Sequence, residues 1–415
     1  MSKTFHIVTL GCKLNKYESD CMSSQLINNG YKLITKFSFA DLYIINTCAV
    51  TSESEKKSRQ YVAKCLKLNP NAKIVVCGCA SQNNIKQFTD KKNVFSVFGN
   101  IGKDNILKYV NNPIFKVEEF VTDYDLLENP HNIQTRAYLK VQDGCNNFCS
   151  YCLIPYLRGR TRSRALCECV KEAEILALDC KEIVLTGIDL SSYSPSLIEL
   201  IESLSHLPCR IRLGSLEVGV VTEDFMIRLS KVKNFCPHFH LSLQSGCDAI
   251  LKRMNRHYLT SEYLTKVKLI KKYFPFANIT TDVIVGFAGE SEAEFNETLD
   301  FIKQVGFGSI HVFPYSQREG TVASKVYVDS VASKTKTERV NKLKEVSKRC
   351  FSNYIESIKK IPFVVLTEDE EDGFVVGYTE NYVKVYLPID TLKNMLVNVE
   401  LLQIYKDGVI GRIKE

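Results

Sequence analysis

The sequence has 415 residues, 45% of them hydrophobic and 24% charged, with no long like-charge block or low-complexity run. That excludes an unfolded chain and a minimal single domain, and favours two or three domains with cores of their own. No apolar stretch reaches the roughly 18 residues a membrane helix needs, and the mixed start Met1-Ser2-Lys3-Thr4-Phe5-His6 is no secretory signal, so a cytoplasmic, non-membrane protein is expected.

A net charge of +7 permits a polyanionic partner without requiring one. Sixteen cysteines say more. In a chain without a signal, that many thiols points to metal binding or redox chemistry rather than a disulfide frame.

Residues 1–110 alternate short apolar runs with amphipathic stretches. Strands are expected at 4–10, 42–47, 73–78 and 94–98, and helices at 15–29, 52–69, 81–88 and 102–109. Strand–helix alternation with such short links implies an open parallel α/β sheet covered on both faces. Residues 111–134, broken by Asn-Pro and Pro-His, read as a linker.

Residues 135–332 repeat the alternation in longer units. Strand patterns fall at 136–141, 183–186, 211–213, 238–243, 279–285 and 309–314, separated mostly by helical patterns. Six parallel strands suit an open sheet or a partial barrel, and periodicity does not choose between them. Residues 333–358 form a basic connecting helix without Gly or Pro. From 359 to 415 the period becomes two, as in a small antiparallel β-barrel of five strands.

The strongest local signal is Cys145-Asn146-Asn147-Phe148-Cys149-Ser150-Tyr151-Cys152. Three thiolates within eight residues can hold an iron–sulfur cube and leave its fourth iron open to a substrate or cofactor. With sixteen cysteines, coincidence is the bland alternative; zinc sites usually show paired Cys-x-x-Cys units, absent here. A second set is dispersed. Cys12, Cys48 and Cys79 each follow a predicted strand, and strand C-terminal ends of a parallel sheet converge on one edge. Cysteine is also a common core residue, and Cys77 rivals Cys79.

Taken together, these residues resemble the radical S-adenosylmethionine methylthiotransferases over essentially the whole chain. The resemblance rests on Cys145-x-x-x-Cys149-x-Tyr151-Cys152, on Cys12, Cys48 and Cys79, and on the terminal barrel, similar to a TRAM domain. Ile183-Val184-Leu185-Thr186-Gly187-Ile188, Leu243-Gln244-Ser245-Gly246, Asp282-Val283-Ile284-Val285-Gly286-Phe287 and His311-Val312-Phe313-Pro314-Tyr315-Ser316 agree with it. Gly11-Cys12-Lys13-Leu14-Asn15-Lys16-Tyr17-Glu18-Ser19 looks most like the branch acting on threonylcarbamoyladenosine in tRNA.

The resemblance implies a central partial (β/α)6 radical barrel and two [4Fe-4S] clusters, the radical one on Cys145, Cys149 and Cys152 and an auxiliary one on Cys12, Cys48 and Cys79. Two S-adenosylmethionine molecules would serve, one cleaved to a 5′-deoxyadenosyl radical that opens adenine C2, the other methylating sulfur. The product would be 2-methylthio-N6-threonylcarbamoyladenosine at position 37. S-adenosylmethionine would meet Tyr151, Gly187, Glu217, Gln244, Ile284 and Gly286. The expected partners are the anticodon loop of tRNA and an electron donor such as flavodoxin or ferredoxin; the sulfur source stays unassigned.

Arg158, Arg160, Arg162 and Arg164, in a stretch with no acid from 144 to 167, read as a phosphate-binding strip or a solvated loop. The terminal barrel departs from an RNA-binding footprint, with seven Lys or Arg against ten Asp or Glu over 359–415. The rival readings are isopentenyladenosine or a ribosomal-protein aspartate as substrate, or a non-catalytic iron–sulfur RNA-binding protein.

Overall fold

A computed structural model of the protein describes residues 3–118 and 135–414. Most of the expected linker, residues 119–134, lies outside the described residues.

The first segment is a parallel sheet of β1 (Thr4–Thr9), β2 (Lys32–Leu33), β3 (Leu42–Thr47), β4 (Lys73–Gly78) and β5 (Val94–Val97), in the order β2-β1-β3-β4-β5. Every residue of β3 is buried, as expected of a central parallel strand with helices on both faces. Helix α1 (Lys13–Asn28) follows β1 and starts at Cys12. Its buried set includes Asn15, Glu18 and Ser19, so its polar side is covered rather than solvated. Helix α2 (Ser52–Leu68) follows β3 and starts on a Thr51–Ser54 capping box.

The second segment opens with β6 (Arg136–Lys140), then the short antiparallel pair β7 (Gln142–Asp143) and β8 (Arg162–Ser163), which ties down the cysteine loop between them. β9 (Glu182–Thr186), β10 (Arg210–Leu213), β11 (Ser215–Leu216), β12 (His238–Leu241), β13 (Asn278–Val285) and β14 (Ser309–Pro314) complete the wall. β10 joins β9 and β6, while β11 joins β12, β13 and β14. The third wall strand therefore breaks at Gly214, where a Cβ would stand 3.1 Å from the Leu185 carbonyl oxygen.

Periodicity left open whether this wall is flat, and one side chain answers. Tyr382 lies 5.4 Å from the Arg136 guanidinium, 3.8 Å from that of Arg212 and 4.9 Å from the His238 ring. In a flat sheet, β6 and β12 would stand about 14 Å apart at the usual spacing of about 4.8 Å per strand. The wall curves into a partial barrel, and Tyr382 plugs its lower end.

Helix Ser333–Ile358 leads to β15 (Phe363–Glu371), β16 (Phe374–Thr379), β17 (Lys384–Leu387), β18 (Leu396–Tyr405) and β19 (Gly408–Ile413), a closed barrel in the order β15-β16-β17-β19-β18. The expectation of a wholly antiparallel barrel is corrected at one seam: β17 and β19 run parallel. A closed ring with an odd number of strands must contain at least one such pair. No described helix is long and apolar enough to cross a membrane.

Candidate active site

Cys145, Cys149 and Cys152 lie on the loop between β7 and helix Ile154–Leu157, all half-buried and free of disulfides. Gly144 opens the loop at φ +73°; a Cβ there would stand 2.0 Å from the Arg160 carbonyl oxygen, so only glycine fits. Donors point at all three sulfurs. The backbone N–H groups of Asn147 and Ile154 donate to Cys145 and Cys152 Sγ at 3.4 Å each, and Arg256 Nη1 donates to Cys149 Sγ at 3.2 Å. Burial pushes Cys145 up to about 11 and Cys152 up to about 12, with the neighbouring cysteines adding to the rise. Thiols so placed become thiolates only beside a strong cation, which suits an iron–sulfur cluster.

Around this loop the expected S-adenosylmethionine residues fall into two groups. Tyr151 packs with Cys247, Ile250, Met254, Phe287 and Tyr315, and Ile284 joins the same cluster. Glu217 pairs with Arg256, the guanidinium that also reaches Cys149, and Gln244 exchanges backbone hydrogen bonds with Asp282 and Ile284. The two glycines already have occupants. A Cβ on Gly187 would meet Gln142 Oε1 at 2.8 Å, and one on Gly286 would meet Lys336 Cγ at 2.5 Å.

The dispersed set gathers at the C-terminal edge of the first sheet. β1, β3 and β4 are neighbours; Cys48 and Cys79 follow the ends of β3 and β4 directly, and Cys12 lies three residues past the end of β1. Their thiols are close enough to repel one another as thiolates, although burial is the main cause that raises Cys12 and Cys48. Gly11 lies against Cys48, where its own Cβ would come within 2.8 Å of the sulfur. Asn100 Nδ2 stands 3.6 Å from Cys79 Sγ.

Cys77 sits elsewhere, fully buried on β4 among Phe5, Met22, Ile44, Val75 and Phe98. Cys79→Ser is expected to remove the auxiliary iron and abolish methylthiolation while reductive cleavage of S-adenosylmethionine persists. Cys77→Ser is expected to keep both activities at some cost in stability. Iron content and 5′-deoxyadenosine yield separate the two, and the reverse pattern would reassign the ligand.

Residues 4–99 match the family model described as "Uncharacterized protein family UPF0004", and residues 139–302 match the Radical SAM superfamily. The chain is 36% identical to the threonylcarbamoyladenosine tRNA methylthiotransferase MtaB of Bacillus subtilis, over 99% of this chain and 96% of that protein. It is 37% identical to the tRNA-2-methylthio-N(6)-dimethylallyladenosine synthase of Clostridium tetani, over 84% and 82%. The chain belongs to the radical S-adenosylmethionine methylthiotransferase family. Among solved structures, the radical S-adenosylmethionine methyltransferase TsrM from Kitasatospora setae matches with a TM-score of 0.57 at 12% identity, over 78% of this chain and 77% of that one. That likeness speaks for the fold alone.

In this methylthiotransferase the four expected RNA-binding arginines do not form a strip, and that reading is corrected. Arg158 is 1% exposed. Its guanidinium bonds Glu18 Oε1 at 2.9 Å, Asp143 Oδ2 at 3.1 Å and Asn15 Oδ1 at 2.7 Å. Lys103 and Lys140 close on Glu18 as well, and Lys140 bonds Asp143 at 2.8 Å. Arg164 is buried against Glu172. Arg162 donates to the backbone oxygens of Arg158 and Arg160. Arg160 alone is exposed, with its guanidinium 4.2 Å from the Phe148 ring centroid.

The pattern of arginines misled because their acids lie outside the acid-free stretch: Glu18 on α1 and Asp143 on β7 for Arg158, and Glu172 on the following helix for Arg164. Burial by itself would raise Glu18, but Arg158, then Lys103 and Lys140, outweigh it and hold the carboxyl well below its usual range. For Asp143, Lys140 and then Arg158 outweigh burial and bring it down to about 2. The network fastens α1, which carries Cys12 at its start, to the segment that follows Cys152.

Inside the barrel lie polar residues to which the sequence reading gave no role. His240 Nδ1 meets Thr280 Oγ1 at 2.9 Å and its Nε2 meets Asp282 at 3.3 Å, with His311 paired across from Asp282. Lys13 reaches the same space. Burial, then repulsion from Arg212 and Arg136, pushes its amine down to about 8. Arg256 was missed too, since the cysteine it reaches lies 107 positions away in sequence.

Proposed function

We propose that this enzyme methylthiolates C2 of N6-threonylcarbamoyladenosine at position 37 of tRNA, using two S-adenosylmethionine molecules and two [4Fe-4S] clusters. One observation carries the reading: two separate three-cysteine sets, one per segment, held together by the buried network around Arg158. Cys145, Cys149 and Cys152 would hold the radical cluster, and Cys12, Cys48 and Cys79 the auxiliary one. When bound, the first supplies the electron that cleaves S-adenosylmethionine and the second a site for sulfur.

The chain's own residues do the positioning. Arg256 donates to Cys149 and to Glu217 together, so cluster ligand and candidate cofactor acid move as one unit. Tyr151, closed in by Phe287 and Tyr315, keeps the loop's inner side dry. Arg160 is the exposed cation nearest the cysteine loop in sequence and would take a backbone phosphate of the anticodon loop, which is single-stranded and needs no flipping from a duplex. The substrate choice is supported by the Bacillus subtilis relative and by the segment from Gly11 to Ser19. A flavodoxin or ferredoxin would be a fitting electron donor.

Mass spectrometry of tRNA nucleosides from a strain lacking the gene tests this directly. The 2-methylthio derivative of threonylcarbamoyladenosine is expected to vanish while the unthiolated nucleoside accumulates. Loss of the methylthio derivative of isopentenyladenosine instead would move the enzyme to the branch of the Clostridium tetani relative.

A further inference from the structure

The charged groups around the barrel lumen are nearly all paired within the protein. Arg136 and Arg212 share Glu182 at 2.6 and 2.8 Å, Arg136 also bonds Glu368 at 2.8 Å, and Asp282 faces His240. Lys13 is different. Its ammonium makes no ion pair or hydrogen bond with another described residue, yet it is half-buried.

Helix geometry places it. Lys13, Tyr17 and Cys21 recur at four-residue spacing and share one face of α1, and Tyr17 and Cys21 pack on Tyr138 of β6. That face lies over the inner side of β6, where Tyr138 shares one strand face with Arg136 and Lys140, and Glu18 of the same helix bonds Lys140 at 2.9 Å. A cation set among partners already taken by one another is costly to keep, and an incoming anion relieves that cost. Lys13 also adjoins Cys12, so the anion would belong to whatever reacts beside that thiol.

We propose that Lys13 receives the carboxylate of the threonyl group on the substrate nucleoside and thereby selects an acidic N6 substituent over a neutral one. This rests on the threonylcarbamoyladenosine reading above. The His240–Asp282–His311 side of the lumen supplies further hydrogen-bonding groups but, among the described residues, no uncommitted cation to match Lys13.

The test uses reconstituted holoenzyme and two short anticodon stem-loop RNAs, one bearing threonylcarbamoyladenosine and one its neutral threoninamide counterpart. Binding is measured without reductant, so turnover plays no part. The native enzyme should bind the carboxylate RNA about tenfold or more tightly than the amide RNA, the scale of one charge-assisted hydrogen bond. Lys13→Gln, checked for full iron content, should bring the two within about twofold, and Lys13→Arg should keep most of the preference. Equal binding of both RNAs by the native enzyme overturns the proposal, whatever the variants do. So does a preference that survives in Lys13→Gln. Turnover assays with the native enzyme keep the two ideas apart. An enzyme that thiolates only isopentenyladenosine RNA defeats the substrate reading. One that thiolates threonylcarbamoyladenosine RNA without preferring the carboxylate defeats the role of Lys13 alone.

Discussion

Replacing Cys145, Cys149 and Cys152 together by Ala should abolish methylthiolation and leave about four of an expected eight irons per chain after anaerobic reconstitution. The expectation follows from independence. The radical set sits on one loop, Gly144 to Leu153, while the auxiliary set sits on three strand ends of another sheet, and no cysteine serves both. The triple variant should yield no 5′-deoxyadenosine on reduction. Fold loss is not expected, because the half-buried cysteines contribute little to the core, whereas the loop is held by the β7–β8 pair and by Gly144. A variant that still binds eight irons, or binds none, would show that the two sets are not separate sites.

Arg158→Ala should destabilise the protein by about 3–5 kcal/mol, the usual cost of removing one partner from a buried charge network. Glu18 and Asp143 would keep Lys103 and Lys140 but lose the one side chain that bonds both of them and Asn15. Arg160→Gln is the matched comparison. Arg160 is exposed, so its loss should shift stability by no more than about 0.5 kcal/mol while weakening tRNA binding and flattening its salt dependence. Urea unfolding midpoints and tRNA titrations at several salt concentrations check both. Equal stability losses for the two variants would remove Arg158 from the special role given it here.

Acid should act on the same network. Glu18 and Asp143 both titrate below their unfolded values of about 4, so their contribution is fully present above that pH. It is lost as pH falls from about 4 through the folded value near 2 for Asp143. Arg158→Ala should show a shallower acid dependence than the native protein over that window.

Sequence alone carried the chemistry and most of the elements. The Cys145–Cys152 spacing needs no tertiary structure, because a cluster loop is local. β3 and β4 also fall where continuous apolar runs put them, since burial on both faces is written directly into composition. Two-residue strands such as β7, β8 and β11 were out of reach, being shorter than any period that could mark them. The curvature of the barrel wall was invisible for another reason. A flat sheet and a curved one share the same alternation, and only the meeting of Arg136, Arg212 and His238 around Tyr382 separates them. The arginines make the point most plainly. In sequence Arg158 and Arg160 are alike, two cations in an acid-free stretch, but Glu18 lies 140 positions upstream of Arg158 and pairs with it alone of the two. Charge pairing across that distance depends on how α1 docks against β6, so tertiary structure decided which arginine holds the fold and which stays exposed to solvent.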